Sequence, residues 1–201
     1  MYINLKNLNK ELEYLKSSRK YILIMTMIFI ISVIAGLVAS LKDLGLSENY
    51  LDMLKESFGW IKDLHPIGIV LVIFLNNALK SLLSIVLGVG LGIIPVIFIG
   101  GNGLLLGIVA NQVSSEKGAL FVLAAILPHG IMEIPMVLIS SGLGLRLGYI
   151  MYSSIIGKET DMRSELTQSL RIYMRIVVPL LFVSAVIETF VTPMVVLQVL
   201  P

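Results

Sequence analysis

The sequence predicts an all-α integral membrane protein, a bundle of about five transmembrane helices, some broken or kinked, with amphipathic interfacial helices. Of the 201 residues, 57% are hydrophobic and only 14% are charged, whereas about a quarter of a globular domain is charged. The mean hydropathy is +0.95. A water-soluble fold of this length would leave about a third of its surface in water, and too few polar residues exist to cover it. A bilayer removes that requirement.

Net charge and cysteine content exclude several classes of protein. The formal net charge is +2, too small for the phosphate contacts of a nucleic-acid-binding protein. The chain has no cysteine, which excludes disulfides, thiolate metal sites and a thiol nucleophile. We therefore expect the lipid bilayer as the surroundings, no nucleic-acid partner and no cofactor, with a bound metal ion as the alternative left open.

The N-terminal segment, residues 1–20, is polar and carries five Lys or Arg residues. Its leucines recur at spacings of three and four, which is one face of a helix. This pattern predicts a cytoplasmic amphipathic helix at the membrane surface, over residues 3–18. The uncharged run 21–40 that follows is long enough to cross a bilayer.

A single transmembrane domain is predicted over residues 21–198. The run 66–113 holds only one charge, and at 1.5 Å per residue it would reach about 72 Å, more than twice the hydrocarbon thickness. It must therefore turn, and its two glycine clusters, 88–92 and 100–103, are the candidate turns. We prefer the first, because it leaves two spans of normal length. The predicted spans are 21–40, 66–90, 91–113, 118–148 and 175–198.

Two polar segments separate these spans. Residues 41–65 carry five acids and three lysines, and their apolar spacing predicts an interfacial helix over 47–63 with Trp60 at headgroup level. Residues 149–174 form a polar cytoplasmic loop that includes Lys158, Arg163 and Arg171, with a helix starting near Thr160. Because basic segments favour the cytoplasmic side, we expect a multi-pass protein of the cell membrane with its N-terminus inside and its C-terminus outside.

Charges within the spans indicate a buried polar centre. Counting 1.5 Å per residue places Lys80 and Glu133 about 21–23 Å below the outer ends of their helices. A bare charge there costs at least about 2.5–3.5 kcal/mol, so these groups should face one another. The predicted centre consists of Asn76, Asn77, Lys80, His129, Glu133 and Glu188.

The role of this centre stays open at the level of the sequence. Lys80 could form a structural ion pair with Glu133 or Glu188, and His129 could be a hydrogen-bonded packing residue. A metal or proton site of His129, Glu133 and Glu188 is the sharper alternative. Pro128 predicts a break in the fourth span, which would place His129 near the N-terminus of a half-helix in mid-membrane.

Three glycine pairs have the spacing of close helix contacts. Small residues four apart let helix backbones approach one another in membranes. We expect a packing role before any other for Gly88/Gly92, Gly103/Gly107 and Gly144/Gly148.

Several stretches carry a resemblance to a known family. They are Phe74-Leu75-Asn76-Asn77, the glycine-rich run to Gly107, the segment Leu127-Pro128-His129-Gly130-Ile131-Met132-Glu133, and the closing segment from Ser184 to Pro193 with Glu188. In this order they resemble the stage II sporulation protein M family over about residues 20–195. The resemblance implies a polytopic membrane protein of five spans that works with other membrane or envelope proteins.

Three functions follow. The first, supported by the resemblance, is a non-enzymatic scaffold or assembly factor for membrane or envelope partners, with a homo-oligomer left open. The second is a transporter or channel for an ion or small solute that uses the buried polar centre. The third and weakest is a membrane metallohydrolase, because the sequence lacks the His-Glu-x-x-His motif of zinc proteases.

Overall fold

The computed structural model describes residues 5–41, 59–60 and 64–199. This part of the chain contains five long helices and no strand, and each helix is apolar and long enough to cross a membrane. The all-α membrane bundle predicted from the sequence is therefore confirmed. The helices are α1 (Leu5–Leu41), α2 (Pro66–Val86), α3 (Ile93–Lys117), α4 (Ala119–Ile155) and α5 (Met162–Leu197).

Helix α1 joins the predicted surface helix 3–18 and the predicted span 21–40 into one element. No glycine or proline lies between the two segments, so nothing in the sequence ends the helix there. At 1.5 Å per residue its 37 residues extend over about 55 Å, well beyond the roughly 30 Å of hydrocarbon. The polar beginning of α1 therefore projects past the apolar layer and does not form a separate element.

The chain turns between α2 and α3 at the first glycine cluster, as the sequence predicts. A 3-10 turn, Leu87–Val89, ends α2, and Gly92 takes a left-handed backbone with φ 74° immediately before α3. Glycine reaches that conformation without the clash of a Cβ atom. The second cluster, residues 100–103, lies inside α3.

Helix α4 runs without a break through Pro128 and Pro135, so the predicted interruption at Pro128 was wrong. An internal proline removes one backbone hydrogen bond, but α4 contacts each of the other four helices, and this packing supports the continuous helix. His129 consequently lies within a continuous helix and not at a helix N-terminus.

The irregular helix is α5. Two π-helical turns interrupt it, Tyr173–Val177 and Ile187–Val191. Each precedes a proline, Pro179 or Pro193, that opens the next α-helical stretch. Because a proline ring clashes with the carbonyl four residues earlier, the turn before it widens.

The predicted loop 149–174 is mostly helical. Only residues 156–161 connect α4 to α5, and Asp161 begins α5 by accepting a hydrogen bond from the Ser164 backbone N–H (2.9 Å). The predicted helix start at Thr160 is thus two residues early. The predicted interfacial helix 47–63 lies outside the described residues, except for Gly59 and Trp60.

Glycines bring the helix backbones into contact around α4. Gly88 lies against Gly144, and Gly92 lies against Gly148, so the end of α2 and the turn after it rest directly on α4. A Cβ atom at Gly88, Gly144 or Gly148 would overlap a neighbouring backbone, and one at Gly92 would overlap the Leu145 side chain. The second pair on α3 packs in the same way against the backbone of α1, through Gly103 and Gly107.

Two apolar clusters form the core, and α4 contributes to both. The larger one joins the C-terminal parts of α2 and α4 to the N-terminal part of α5. It contains Ile85, Leu143, Leu147, Ile172 and Leu181. The smaller one joins α1, α3 and α4 through Met25, Ile99 and Leu138. The outward faces of the helices carry many exposed Leu and Ile side chains, as expected of surfaces that face lipid.

Candidate functional site

Three ionisable side chains from two helices meet near the middle of the bundle. A ligating atom from each of His129, Glu133 and Glu188 lies within 4.8 Å of the other two. His129 and Glu133 are four residues apart on α4 and share one face. Counted from Ala119 and Leu197, where α4 begins and α5 ends, the three residues lie about 14–21 Å deep at 1.5 Å per residue. The cluster is therefore in the hydrocarbon region of a bilayer.

One face of α5 holds this cluster against α4. The Ser184 hydroxyl donates to the His129 carbonyl (3.1 Å), and the Thr192 hydroxyl lies 3.3 Å from Nδ1 of the same histidine. Ser184, Glu188 and Thr192 follow one another at intervals of four residues. Glu188 itself lies in the second π-helical turn of α5, a local geometry that is frequent at functional sites.

The cluster borders a cavity of about 340 Å³ between α1, α2, α3 and α4. Its polar lining consists of Asn77 and Lys80 from α2, Asn102 from α3, and His129 and Glu133 from α4. The remaining lining is mostly aliphatic and aromatic. The cavity is thus an apolar pocket with a few convergent polar groups, the usual composition of a binding site.

Lys80 lies at the exposed rim of this cavity. Its charge is close enough to act on Glu133, yet no carboxylate in the described part of the chain makes an ion pair with it. Glu133 Oε2 is buried and has no hydrogen-bond partner among the described residues. The direct ion pair that the sequence left open is therefore not formed in this structure.

Asn76 is the predicted site residue that lies apart from the rest. Its side chain is exposed, and its amide nitrogen donates to Oδ1 of the adjacent Asn77 (3.3 Å). Asn77 lines the cavity, whereas Asn76 does not. The other five predicted residues line the cavity or belong to the cluster of His129, Glu133 and Glu188.

The sequence reasoning missed three residues of the site. Asn102 belongs to the second glycine cluster, where the sequence indicates only a candidate turn. In the structure it lies inside α3 and lines the cavity. Ser184 and Thr192 flank Glu188 at four residues on either side, a helical spacing that would have identified them.

A second polar cluster, the Arg146–Glu165 cluster, lies at the end of the bundle where α1 and α5 begin, and the sequence did not predict it. There Arg146 binds Glu165 through two nitrogens, at 2.9 and 3.0 Å. The Arg146 guanidinium also lies 4.2 Å from the centre of the Tyr14 ring. Arg146, on α4, therefore contacts both α1 and α5.

The mid-membrane centre holds more acidic than basic side chains. If His129 is neutral and both glutamates are ionised, the glutamates contribute two negative charges and Lys80 offsets one of them. Uncompensated charge is costly in a low-dielectric surrounding. The centre is therefore suited to hold a proton, a metal cation or a complementary group from another molecule.

Four apolar helices packed against a central α4, with ionisable groups at mid-depth, define a polytopic membrane protein with an intramembrane polar site. The chain belongs to the stage II sporulation protein M family, whose model matches residues 25–193. The match confirms the resemblance seen in the sequence, and it contains all six residues of the predicted centre. No curated protein and no solved structure matches the chain.

Proposed function

We propose that this protein is a non-enzymatic assembly factor of the cell membrane that binds a partner membrane protein through its intramembrane polar centre. The observation that carries the proposal is the exposed ammonium group of Lys80 at the rim of the open cavity. Membership of the family supports the class of protein. The exposed charge of Lys80 supports the proposal that a partner protein binds there.

The depth of Lys80 makes its exposure costly. It lies 14 residues from Pro66 and nine from Val89, or about 21 and 14 Å from the two ends at 1.5 Å per residue. A lysine at such a depth costs about 2.5–3.5 kcal/mol when it faces lipid. A partner helix that carries an acidic or amide side chain would cover Lys80 and remove that cost.

The orientation in the membrane is part of the proposal. The basic start of α1 and the loop between α4 and α5 lie at the same end of the bundle, where Tyr14 bonds Glu165. The positive-inside rule assigns that end to the cytoplasm. The partner would then contact α2 at the centre of the bilayer, with the N-terminus inside and the C-terminus outside.

Site-specific photocrosslinking in living cells tests this proposal. A photoreactive amino acid at Asn76, beside Lys80, is expected to form an adduct with one membrane protein. The same probe at Ile131, which is exposed on another face of α4 at similar depth, is expected to label lipid alone. The adduct at Asn76 should disappear with Lys80→Met and persist with Lys80→Arg.

Two outcomes would contradict the assembly role. Lipid labelling alone at both positions would mean that no partner covers Lys80. An adduct of twice the chain's mass would identify a second copy of this chain, and the polar centre would then serve a homo-oligomer.

A transporter for an ion or small solute is the second candidate, favoured by the cavity and its polar lining. Intramembrane ionisable groups commonly mark proton and ion pathways. Purified protein in liposomes should then carry a flux of protons or metal ions that Glu133→Gln abolishes. The absence of flux for protons and common metal ions would eliminate this candidate and leave the assembly role.

A further inference from the structure

We infer that His129, Glu133 and Glu188 form a binding site for a divalent transition-metal ion, with Zn²⁺ as the best match. The three ligating atoms come from α4 and α5 and lie within 4.8 Å of one another. This inference does not depend on the assembly role, because it concerns the isolated chain and needs no partner.

The donor set selects the class of metal. One imidazole nitrogen and two carboxylate oxygens suit zinc and its first-row neighbours, whereas Mg²⁺ and Ca²⁺ are bound by oxygen donors. Zinc lies about 2.0–2.2 Å from such ligands, so its tetrahedral ligands are roughly 3.4 Å apart. The observed separations permit that geometry after small side-chain rotations of the two glutamates. Three protein ligands would leave a fourth position open.

Three features prepare the site for a cation. The Thr192 hydroxyl lies at Nδ1 of His129 (3.3 Å), which orients the ring and leaves Nε2 as the ligand. Glu133 Oε2 is buried and without a hydrogen-bond partner among the described residues. The π-helical turn Ile187–Val191 presents Glu188 toward α4.

The charges also favour a divalent cation. Two ionised glutamates and a neutral histidine carry two negative charges, which one divalent ion neutralises. Lys80 acts on Glu133 from the cavity side and opposes the approach of a cation. Lys80 therefore sets the affinity of the site without being one of its ligands.

The first test is the metal content of the purified full-length chain. The protein is purified in mild detergent through a tag that binds no metal, exposed to Zn²⁺ or Mn²⁺ and then desalted. Elemental analysis is expected to find one zinc ion per chain. His129→Ala and Glu188→Gln should each lower zinc affinity by at least about tenfold, because a lost ligand weakens a site more than the 10–100-fold of a lost supporting group.

Two further variants distinguish a built site from adventitious binding. Asn111→Ala removes a polar side chain of α3 that bonds Ser40 outside the cavity, and should keep one zinc ion per chain. Lys80→Met should tighten zinc binding, because it removes the opposing charge. Where a variant does not fold, X-ray absorption at the zinc edge of the wild-type protein provides the test, with one nitrogen-type and two carboxylate ligands expected.

The inference is overturned by wild-type protein that retains no zinc or manganese after desalting. It is also overturned if His129→Ala and Glu188→Gln retain as much metal as Asn111→Ala. Neither result would touch the assembly role, which photocrosslinking tests separately.

Discussion

Two polar clusters in this protein differ in how completely their groups are satisfied. In the Arg146–Glu165 cluster, Arg146 and Glu165 form two direct hydrogen bonds, and the Tyr14 hydroxyl donates to Glu165 Oε2 (2.7 Å). At the middle of the bundle, Lys80 has no ion-pair partner in the described part of the chain, and Glu133 has a buried oxygen without a hydrogen bond. Among the described residues, the groups of the first cluster are all paired, whereas those of the second are not.

This difference separates a structural role from a functional one. Buried charges that are paired and hydrogen-bonded hold helices together, whereas unmatched ones are expensive to keep. Polar networks that are only partly satisfied persist in native proteins where function requires them. This contrast supports a packing role for the Arg146–Glu165 cluster and the proposed binding role of the mid-membrane centre.

The largest expected effect on stability comes from breaking the ion pair between Arg146 and Glu165. Arg146→Met leaves Glu165 without its cationic partner. The loss is costly because the two side chains are only 14% and 19% exposed. We expect the free energy of unfolding to fall by about 3 kcal/mol, measured by denaturation in detergent. The double variant Arg146→Met/Glu165→Met should recover most of the loss, and Arg163→Met at an exposed site should have little effect. A loss no larger than that of Arg163→Met would remove the distinction between the clusters.

A smaller loss is expected from separating α2 and α4. Gly144→Ala would drive a Cβ atom into the Ser84 backbone, and such overpacking costs about 1–3 kcal/mol. It would also shift Lys80 relative to Glu133. Gly101→Ala is the matched control, because nothing lies within 4 Å of its new Cβ atom. Equal melting temperatures for the two variants would contradict the close contact.

The opposite sign is expected at the mid-membrane centre. In the presence of a chelator, Glu133→Gln removes a charge that no direct ion pair stabilises, so stability should stay level or rise by up to about 1 kcal/mol. Thermal unfolding in detergent measures this. A loss comparable to that of Arg146→Met would mean that Glu133 is a structural ion-pair residue after all.

The smallest effect is expected at Asn76. Its side chain is exposed and bonds only its neighbour Asn77 among the described residues. Asn76→Leu should therefore change stability by no more than about 0.5 kcal/mol. The same thermal measurement on Asn77→Leu, inside the cavity, provides the comparison. A large loss at Asn76 alone would show that it belongs to the centre.

Length and hydropathy were enough to predict the five membrane-spanning helices and the turn at the first glycine cluster, since both follow from local composition. They failed where neighbouring helices decide the outcome. The sequence predicts a break at Pro128, but α4 packs against the four other long helices and continues through it. The widened turns appeared in α5 instead, before Pro179 and Pro193.

The apolar composition by itself determined that this protein is a bundle of membrane-spanning helices with a few charges at mid-depth, because the bilayer restricts backbone structure so strongly. Only the tertiary structure decided which of those charges meet. Rotation of each helix about its axis depends on contacts such as Gly88 with Gly144, and these join residues far apart in sequence. Such contacts place Glu188 beside His129 and leave Lys80 at the rim of the cavity.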